Sequence, residues 1–422
     1  MLFSHVQFPA QLGFFATYAA RKLGWQCTFV CEKAQPLKTE VRLIQYKRGF
    51  GATQSHSFYA RGFENVVAQH EGTYRALKPL GLAPDLIVSH AGLGGSLFLS
   101  ELYDAKTLSF LEFYYHLTNS DMDFRPEFQP SEDAKLRLIL RNAPLLLELQ
   151  QCAAGYSPTR FQRGLFPAEY RHKIHTIFDG IDTELWRPRP EATREWGGRS
   201  IDAGTKIVTY CSRGFESLRG FDMFMRAAKI IYREMPDVVF LVAGADKICY
   251  GGDAAHIKPH TSFKNYVLAQ DDYDLSKFVF LGRITMGDLA RLFTVGDAHI
   301  YLTAPFVLSW SMLNAMACGA VVVGSNTPPV TEMIRDGETG LLADFFDPEA
   351  IARQTLRVLR DPGAFCSVSD NAMALIREHY STDVTYPRMI RLCEAVASGR
   401  DVPVDATSHG HEPEREIDSI PT

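Results

Sequence analysis

Short apolar runs alternate with amphipathic stretches along nearly the whole chain. In the first half, residues 2–6, 28–30, 85–89 and 106–111 have the apolar and β-branched character of strands. In the second half the runs are almost continuously apolar, which is typical of parallel strands buried on both faces. These second-half runs are residues 206–210, 238–243, 278–281, 299–302 and 320–324. The alternation predicts an α/β protein whose parallel sheets are covered by helices.

Helical segments and polar stretches mark the domain boundaries. Residues 11–23 form an amphipathic pattern that ends at Gly24, and another helix is predicted from about 131 to 151. Because one hydrophobic core rarely serves 422 residues, we expect two domains, 1–187 and 205–375, joined by a polar, proline-containing linker, 188–204. Residues 376–397 are expected to form a helix that packs back on the first domain, and residues 398–422 a disordered tail.

Composition and charge narrow the function classes. Hydrophobic residues make up 46% and charged residues 22% of the chain, which is ordinary for a globular protein. The formal net charge of −5 offers no broad attraction to nucleic acid, so no such partner is expected. The eight cysteines are scattered and form no C-x-x-C pair, which argues against zinc and redox motifs and favours a reducing cytoplasm.

No segment of the sequence predicts export or a membrane span. The start, MLFSHV, lacks the charged region and long apolar run of a signal peptide. No stretch reaches roughly 18 uninterrupted apolar residues, and the cluster 143–149 is interrupted by Pro144 and Glu148. We therefore expect a soluble, cytoplasmic protein, with peripheral contact at the inner face of the membrane left open.

Two common nucleotide-binding motifs are missing from the sequence. The candidate for phosphate binding is a different segment, residues 299–324. The turn after the first strand reads QFPAQLG rather than G-x-G-x-x-G, which weakens a dehydrogenase interpretation. The absence of G-x-x-x-x-G-K-[ST] weakens an NTPase interpretation. Residues 299–324 predict a strand, a loop and a helix from about Ser311 to Cys318, whose N-terminus suits a diphosphate. The geometry alone favours an ordinary strand–helix–strand unit with a serine cap.

Three motifs together resemble one enzyme family. Residues 311–322 read SMLNAMACGAVV, similar to E-A-M-A-C-G-x-P-V; residues 329–342 read PVTEMIRDGETGLL, similar to E-x-I-x-D-G-x-x-G-x-L; residues 178–184 read FDGIDTE, similar to N-G-V-D-x-x-x. These motifs are signatures of the retaining glycosyltransferases of family 4, and the opening strand and loop also resemble that family. The resemblance implies the GT-B fold, in which two Rossmann-like, doubly wound domains face each other across a cleft. The C-terminal domain would hold a nucleotide sugar, and the N-terminal domain the acceptor.

The resemblance also implies which residues hold the donor. Arg213 and Arg219 match the positions of family residues that hold the donor diphosphate. Fixed cations there would stabilise the charge on the departing phosphate without a metal. For either arginine alone, a solvated basic pair beside Glu216 would be the simpler interpretation. Further donor contacts are expected at a strand end and at the loop and helix after a later strand, namely Gly244, Ser309, Trp310, Ser311 and Asn314.

Two positions depart from the family pattern. The family has two glutamates where this chain has Phe306 and Asn314. The second glutamate accepts hydrogen bonds from ribose hydroxyls, and Asn314 keeps an acceptor oxygen but not the charge. Phe306 cannot accept a hydrogen bond from a sugar hydroxyl. The resemblance then implies that backbone N–H groups around Ser309 recognise the donor sugar, or that the enzyme is impaired.

On the acceptor side, the resemblance implies that the first loop and two strand ends line the cleft. The first loop contains Phe8, Pro9 and Ala10, the last at a position where many relatives carry glycine. Family members often place a histidine after the strand that 106–111 resembles, near the sugar being transferred. Glu112 and His116 compete for that place as catalytic candidates that would bind the donor sugar or orient the acceptor. His116 could equally be a partly buried histidine in an aromatic cluster. His90, at another strand end, lines the acceptor pocket or caps the following helix.

The leading functional hypothesis is metal-independent, cofactor-independent transfer of a sugar from a nucleotide-sugar donor with retention of configuration. The acceptor would be a glycan, a lipid-linked molecule or a small molecule, deprotonated by the leaving phosphate as the resemblance suggests. Phe306 and Asn314 motivate an alternative, a catalytically silent GT-B homologue that binds a nucleotide or a partner protein. A GT-B epimerase or phosphorylase shares only the architecture, and fold alone does not determine function.

Overall fold

The computed structural model describes residues 1–401 together with residues 403 and 404. Two parallel sheets carry the fold, and each has a hydrophobic cluster of buried side chains on either face. This arrangement confirms the predicted α/β fold of two Rossmann-like, doubly wound domains. The predicted tail, 398–422, lies for its greater part outside the described residues, and Ser398 is the last residue of the final helix.

The first domain is built on a seven-stranded parallel sheet. In the order of pairing its strands are Arg42–Gln45 (β5), Thr28–Cys31 (β3), Leu2–Ser4 (β1), Leu86–His90 (β6), Lys106–Phe110 (β7), Ala154–Ser157 (β8) and Ile174–Thr176 (β9). A short pair, Gln7–Phe8 (β2) with Lys33–Ala34 (β4), lies beyond β1 and β3. The helices of this part of the chain are Ala10–Leu23 (α1), Arg61–Leu77 (α2), Glu132–Gln151 (α3) and Arg160–Gly164 (α4).

Successive residues of the first sheet face two different cores, because side chains alternate across a strand. Phe3 and Phe29 are fully buried and pack with Phe15 of α1. Leu2 and its neighbours on β3 and β6 pack instead with Leu77 of α2. Burying both faces explains why the central strands β1 and β6 read as continuous apolar or small-polar runs.

The second domain is built on a six-stranded parallel sheet. In the order of pairing its strands are Phe278–Gly282 (β14), Val238–Ala245 (β13), Lys206–Gly214 (β12), Ala298–Tyr301 (β15), Val322–Ser325 (β16) and Leu341–Ala343 (β17). Its helices are Phe221–Glu234 (α5), Phe263–Leu268 (α6), Met286–Val295 (α7), Trp310–Ala317 (α8), Pro328–Thr331 (α9), Pro348–Arg360 (α10) and Cys366–Leu375 (α11).

The segment between the sheets has a structure of its own. Within 188–204, Glu195–Trp196 (β10) and Arg199–Ser200 (β11) pair antiparallel. Trp196 and Ile201 are buried in the core of the second domain, so this segment packs as part of that domain. The last helix, Thr382–Ser398 (α12), follows a π-helical turn, Ile376–Tyr380, and returns to the first domain. There Leu392 and its helical neighbours share the hydrophobic cluster of the first sheet.

Several contacts join the domains beside the carboxyl ends of their strands. The Trp310 indole N–H donates to Asp179 Oδ2 at 2.7 Å. The rings of Phe113 and Phe306 lie 4.8 Å apart, one from each domain. Glu332, in the 329–342 motif, accepts the N–H groups of Arg160 and Phe161 at 2.7 and 2.8 Å. The two sheets therefore point their carboxyl ends at a shared cleft, which is where ligands of such sheets bind.

Candidate active site

A buried acid–base cluster lies at the carboxyl ends of β1, β6 and β7. His90 Nε2 lies 3.3 Å from Glu112 Oε2, and the ring of His5 is 5.1 Å from the ring of His90. Gln11 at the start of α1 donates to Glu112 Oε1 at 2.9 Å. The Glu112 side chain keeps 24% of its surface exposed, whereas His90 keeps 4%, so the carboxylate is the open end of this cluster.

The charges in this cluster depend on one another. Burial disfavours protonation of His90, but the hydrogen bond to Glu112 and the charge of that carboxylate outweigh it and raise the pKa of His90. Burial likewise opposes ionisation of Glu112, but His90, His5 and Gln11 together lower its pKa. Burial, with the nearby His90, lowers the pKa of His5 to about 3. These shifts favour a protonated His90 paired with an ionised Glu112, beside a neutral His5.

Asp179 brings a second carboxyl group to the same cleft. Its position follows β9, and it accepts the indole N–H of Trp310 from the second domain. Burial raises the pKa of Asp179 to about 7, against the hydrogen bond from Trp310, and the charge of Glu112 raises it further. The interaction with Glu112 shows that Asp179 shares the electrostatic environment of the first-domain cluster.

Two residues predicted on the acceptor side make their contacts elsewhere. His116 Nε2 lies 2.7 Å from the carbonyl oxygen of Leu165, and its ring packs 5.5 Å from Tyr114. It therefore belongs to the aromatic cluster that was the alternative interpretation, and of the two competitors only Glu112 contacts His90. Phe8 is fully buried, with its ring 5.0 Å from Phe29, because the first loop turns that side chain into the core.

The rest of the first loop gives the turn into α1. Pro9 is the N-cap of α1, and its carbonyl accepts the N–H of Gly13 at 2.7 Å. Ala10 has a φ of 42°, in the left-handed region that favours glycine. This backbone conformation explains why a glycine suits the position in the family that the sequence resembles.

Arg213 lies on the donor side at the end of β12 and is exposed. Its Nη1 donates to the Tyr250 hydroxyl at 3.0 Å, and the guanidinium lies 5.9 Å from that ring. The bond to Tyr250 raises the pKa of Arg213, which also senses the charge of Glu112 across the cleft. An exposed guanidinium opposite Glu112 has N–H groups left over for an anion.

Arg219 has a different environment. Only 5% of it is exposed, and its two terminal nitrogens donate to Thr303 Oγ1 at 2.7 Å and to the Val307 carbonyl at 3.0 Å. The guanidinium also lies 5.4 Å from the Tyr250 ring and 5.6 Å from the Phe306 ring. Glu216 does not pair with either arginine; its Oε2 accepts the backbone N–H groups of the loop at 249–251. Arg219 therefore stabilises the loop before α8 through its hydrogen bond to Val307, and it also brings a positive charge to the cleft.

The N-terminus of α8 is capped by the side chain of Ser309. Ser309 accepts the N–H of Ser311 at 3.3 Å, and its own N–H donates to the Tyr301 hydroxyl at 2.9 Å. Asn314 is 5% exposed, and its Oδ1 is buried without a hydrogen-bond partner among the residues that the structure describes. A buried acceptor without a donor costs free energy, which a ligand hydroxyl at that place would recover.

Gly244 is close-packed rather than open to a ligand. A Cβ at this position would lie 2.6 Å from the Ser212 carbonyl oxygen and 2.8 Å from the Phe215 ring. The glycine is therefore required by the approach of two segments of the second domain. This corrects the expectation that the end of β13 leaves its backbone free for a ligand.

Sequence reasoning missed several residues in the cleft, chiefly His5, Asp179, Tyr250 and Asp121. His5 and Asp179 lie in segments that the sequence analysis compared with family motifs. Each follows the end of a strand closely, so selecting all polar residues at strand ends would have included both. Tyr250 and Asp121 lie in loops far from any motif, so only their positions in space reveal them.

Neither a metal cluster nor a membrane-spanning helix is found in the described part of the chain. No group of three or more His, Cys, Asp or Glu side chains among these residues is arranged to hold a metal ion. No helix within the described ranges is both long and apolar enough to cross a bilayer.

Two Rossmann-like, parallel-sheet domains that face each other across a cleft have the GT-B fold. The chain belongs to the glycosyltransferases: a model described as glycosyl transferase family 4 group matches residues 23–186, and one described as glycosyl transferases group 1 matches residues 205–361. The first match lies in the first domain and the second match in the second domain.

Individual relatives are distant. N-acetyl-alpha-D-glucosaminyl L-malate synthase of Bacillus anthracis is 23% identical over 212 residues, 50% of this chain and 50% of the relative, so the chain spans about half the length of that curated relative. A sucrose-phosphate synthase from Thermosynechococcus elongatus has the same fold, with a TM-score of 0.69 at 18% identity over 94% of this chain and 98% of that one. Anabaena HepE in complex with UDP-glucose gives a TM-score of 0.66 at 15% identity, covering 93% and 99%.

Proposed function

We propose that this protein is a retaining, metal-independent glycosyltransferase that uses a nucleotide-sugar donor. The observation that carries the proposal is the exposed Arg213 guanidinium, which faces the His90–Glu112 pair across the cleft. A diphosphate bound by Arg213 and Arg219 would place its sugar between the two domains. The structure of Anabaena HepE was determined with UDP-glucose, which supports this class of donor.

The proposed reaction breaks the bond between the anomeric carbon and the phosphate oxygen. The electron pair stays on the diphosphate, where the arginines stabilise the developing charge. The acceptor oxygen bonds to the anomeric carbon on the same face, and its proton passes to the leaving phosphate oxygen. Glu112, held by His90 and Gln11, is placed to accept a hydrogen bond from a hydroxyl in the cleft.

Donor binding and turnover test this proposal together. Thermal shifts with UDP-, GDP- and ADP-linked sugars identify the donor, because a ligand of the folded state raises its melting temperature. Arg213→Ala should then lower turnover by about 100-fold or more, the effect of removing one preorganised charge-stabilising contact. Arg353→Ala, an exposed arginine on α10, is the matched control. Donor binding without turnover by the wild type would instead indicate a catalytically silent homologue.

Metal independence has its own test. The proposal expects full turnover in EDTA, because the arginines supply the positive charge that a divalent cation would otherwise bring. Loss of activity in EDTA that magnesium or manganese restores would contradict it. We propose no cofactor beyond the donor substrate, with the protein acting in the cytoplasm.

We also infer peripheral contact with the inner face of the membrane, through α3. Leu136, Ile139, Leu140 and Leu147 of this helix are each more than 40% exposed. Arg137 lies beside them, over the exposed ring of Phe58. Apolar side chains flanked by cations suit an anionic bilayer surface and a lipid-linked acceptor. Co-sedimentation with phosphatidylglycerol vesicles, but not after Ile139→Gln and Leu140→Gln, would support the contact; equal sedimentation would contradict it.

A further inference from the structure

Residues 117–131, here called the interdomain arm, extend from the first domain onto the second. Arg125 of the arm is 2% exposed and donates to Asp222 at 2.6 and 3.1 Å and to the Ser217 carbonyl at 2.8 Å. The Phe124 ring lies 4.9 Å from those of Phe345 and Phe346. These contacts fix the arm next to the turn that carries Arg219, on the donor side of the cleft.

Asp121 lies on the arm four residues before the Arg125 anchor. Its Oδ1 is buried and has no hydrogen-bond partner within the described residues. The charged groups that face it are Arg141 of α3, Asp123 of the arm and Arg219 of the second domain. Both carboxylate oxygens of Asp123 already accept hydrogen bonds, from the backbone N–H groups of residues 119 and 120. Asp121 is thus a carboxyl group with an unused acceptor between two arginines from different domains.

We propose that Asp121 binds a hydroxyl group of the transferred sugar in the nucleotide-sugar donor. The inference rests on the proposed function, in which Arg219 lies beside the diphosphate. The sugar is attached to that diphosphate. Arg125 fixes the arm to the carbonyl of Ser217, two residues before Arg219, so the arm brings Asp121 close to the sugar. Phe306, 5.6 Å from Arg219, offers no acceptor there. The interdomain arm therefore supplies an acceptor that the loop before α8 lacks.

The environment of Asp121 matches this role. Burial raises its pKa to about 7, while the charges of Arg141 and Arg219 act in the opposite direction and Asp123 adds to the rise. The carboxylate form is the stronger acceptor. Its contribution to sugar binding should therefore grow as the pH increases through about 7. An amide at this position keeps an acceptor oxygen but cannot ionise, so it should bind the sugar more weakly and without this pH dependence.

The test compares nucleotides with and without their sugar. Calorimetry would measure UDP and UDP-glucose, and GDP and GDP-mannose, against the wild type, Asp121→Asn and Glu127→Gln. Glu127 is the control, an exposed carboxylate on the same arm whose Oε2 lies 3.4 Å from Arg125 Nε, so its variant also reports any effect of weakening the Arg125 anchor. We expect Asp121→Asn to bind the preferred nucleoside diphosphate as the wild type does and its sugar nucleotide roughly tenfold more weakly. The pH dependence of sugar binding should disappear in this variant and persist in Glu127→Gln.

The outcomes separate this inference from the proposed function. Equal affinity of the wild type and Asp121→Asn for the sugar nucleotide would overturn the role of Asp121 alone. A wild type that binds neither these four probes nor the ADP-linked sugars of the thermal-shift screen would overturn the proposed function, and the inference with it. Retained diphosphate binding shows that the variant is folded; if Asp121→Asn does not fold, Asp121→Ser serves for the same comparison.

Discussion

The buried ion pair between Arg125 and Asp222 should hold the two domains together. We consider Arg125→Met, which keeps an apolar stem but removes the charge. The variant leaves the Asp222 carboxylate, 4% exposed, without its bidentate partner, and it also removes the donor to the Ser217 carbonyl. Breaking a buried pair in this way typically costs about 3–5 kcal/mol. Asp222 lies in the first turn of α5, whose dipole favours a negative charge, so we expect the lower part of that range.

Urea unfolding followed by tryptophan fluorescence would measure this loss. Arg360→Met is the matched control, since Arg360 pairs with Glu234 at 2.6 Å but both side chains are about half exposed. Such a surface pair contributes less than about 1 kcal/mol. The double variant Arg125→Met with Asp222→Leu should lose less than the sum of the two single losses, because the pair is coupled. A loss for Arg125→Met no larger than for the control would refute the reasoning.

Two further predictions concern buried groups. Glu148 accepts from the Gly92 N–H and, at 2.9 Å, from the Ser96 hydroxyl, and burial raises its pKa from 4.5 to about 7. The folded state therefore keeps a proton that the unfolded chain has released, and the free energy of unfolding should fall between those pH values by at most about 1.4 kcal/mol per pH unit. Glu148→Gln should flatten this slope in urea titrations, whereas the exposed Glu132→Gln should not; identical slopes would argue against it. Asn314→Glu should tighten nucleoside diphosphate binding roughly tenfold in calorimetry by restoring a charge-assisted bond to the ribose, and unchanged affinity would mean that Asn314 does not contact the ribose.

The central strands were readable from the sequence, whereas three of the four edge strands of the two large sheets were not. Val238–Ala245 and Leu86–His90 are buried on both faces, so their composition alone indicates a parallel strand. Arg42–Gln45 pairs only at the edge of its sheet and is mostly exposed, which leaves it without an apolar signature. Leu341–Ala343 and Ile174–Thr176 have only three residues each, too few for a periodic pattern to be recognised.

Some residues of the candidate site could likewise be selected from the sequence, and others could not. Residues directly after apolar strands, such as His90, Glu112 and Arg213, could be selected from the sequence because parallel strands present their carboxyl ends at one edge. The sequence could not show that Glu112 rather than His116 contacts His90, because both residues follow β7 closely in the chain. Only the tertiary structure shows that the His116 ring bonds instead to the carbonyl oxygen of Leu165.

What the sequence determined by itself is the class of fold and the family, because both depend on local pattern: apolar runs of strand length and short motifs in a given order. What only the tertiary structure decided is which distant side chains share one environment. Asp179 accepts from Trp310, and Arg125 donates to Asp222, each from one domain to the other. The physical reason is that such contacts depend on sheet register, on domain orientation and on the Arg125–Asp222 ion pair. None of these produces a repeating pattern of residues that can be recognised in the sequence.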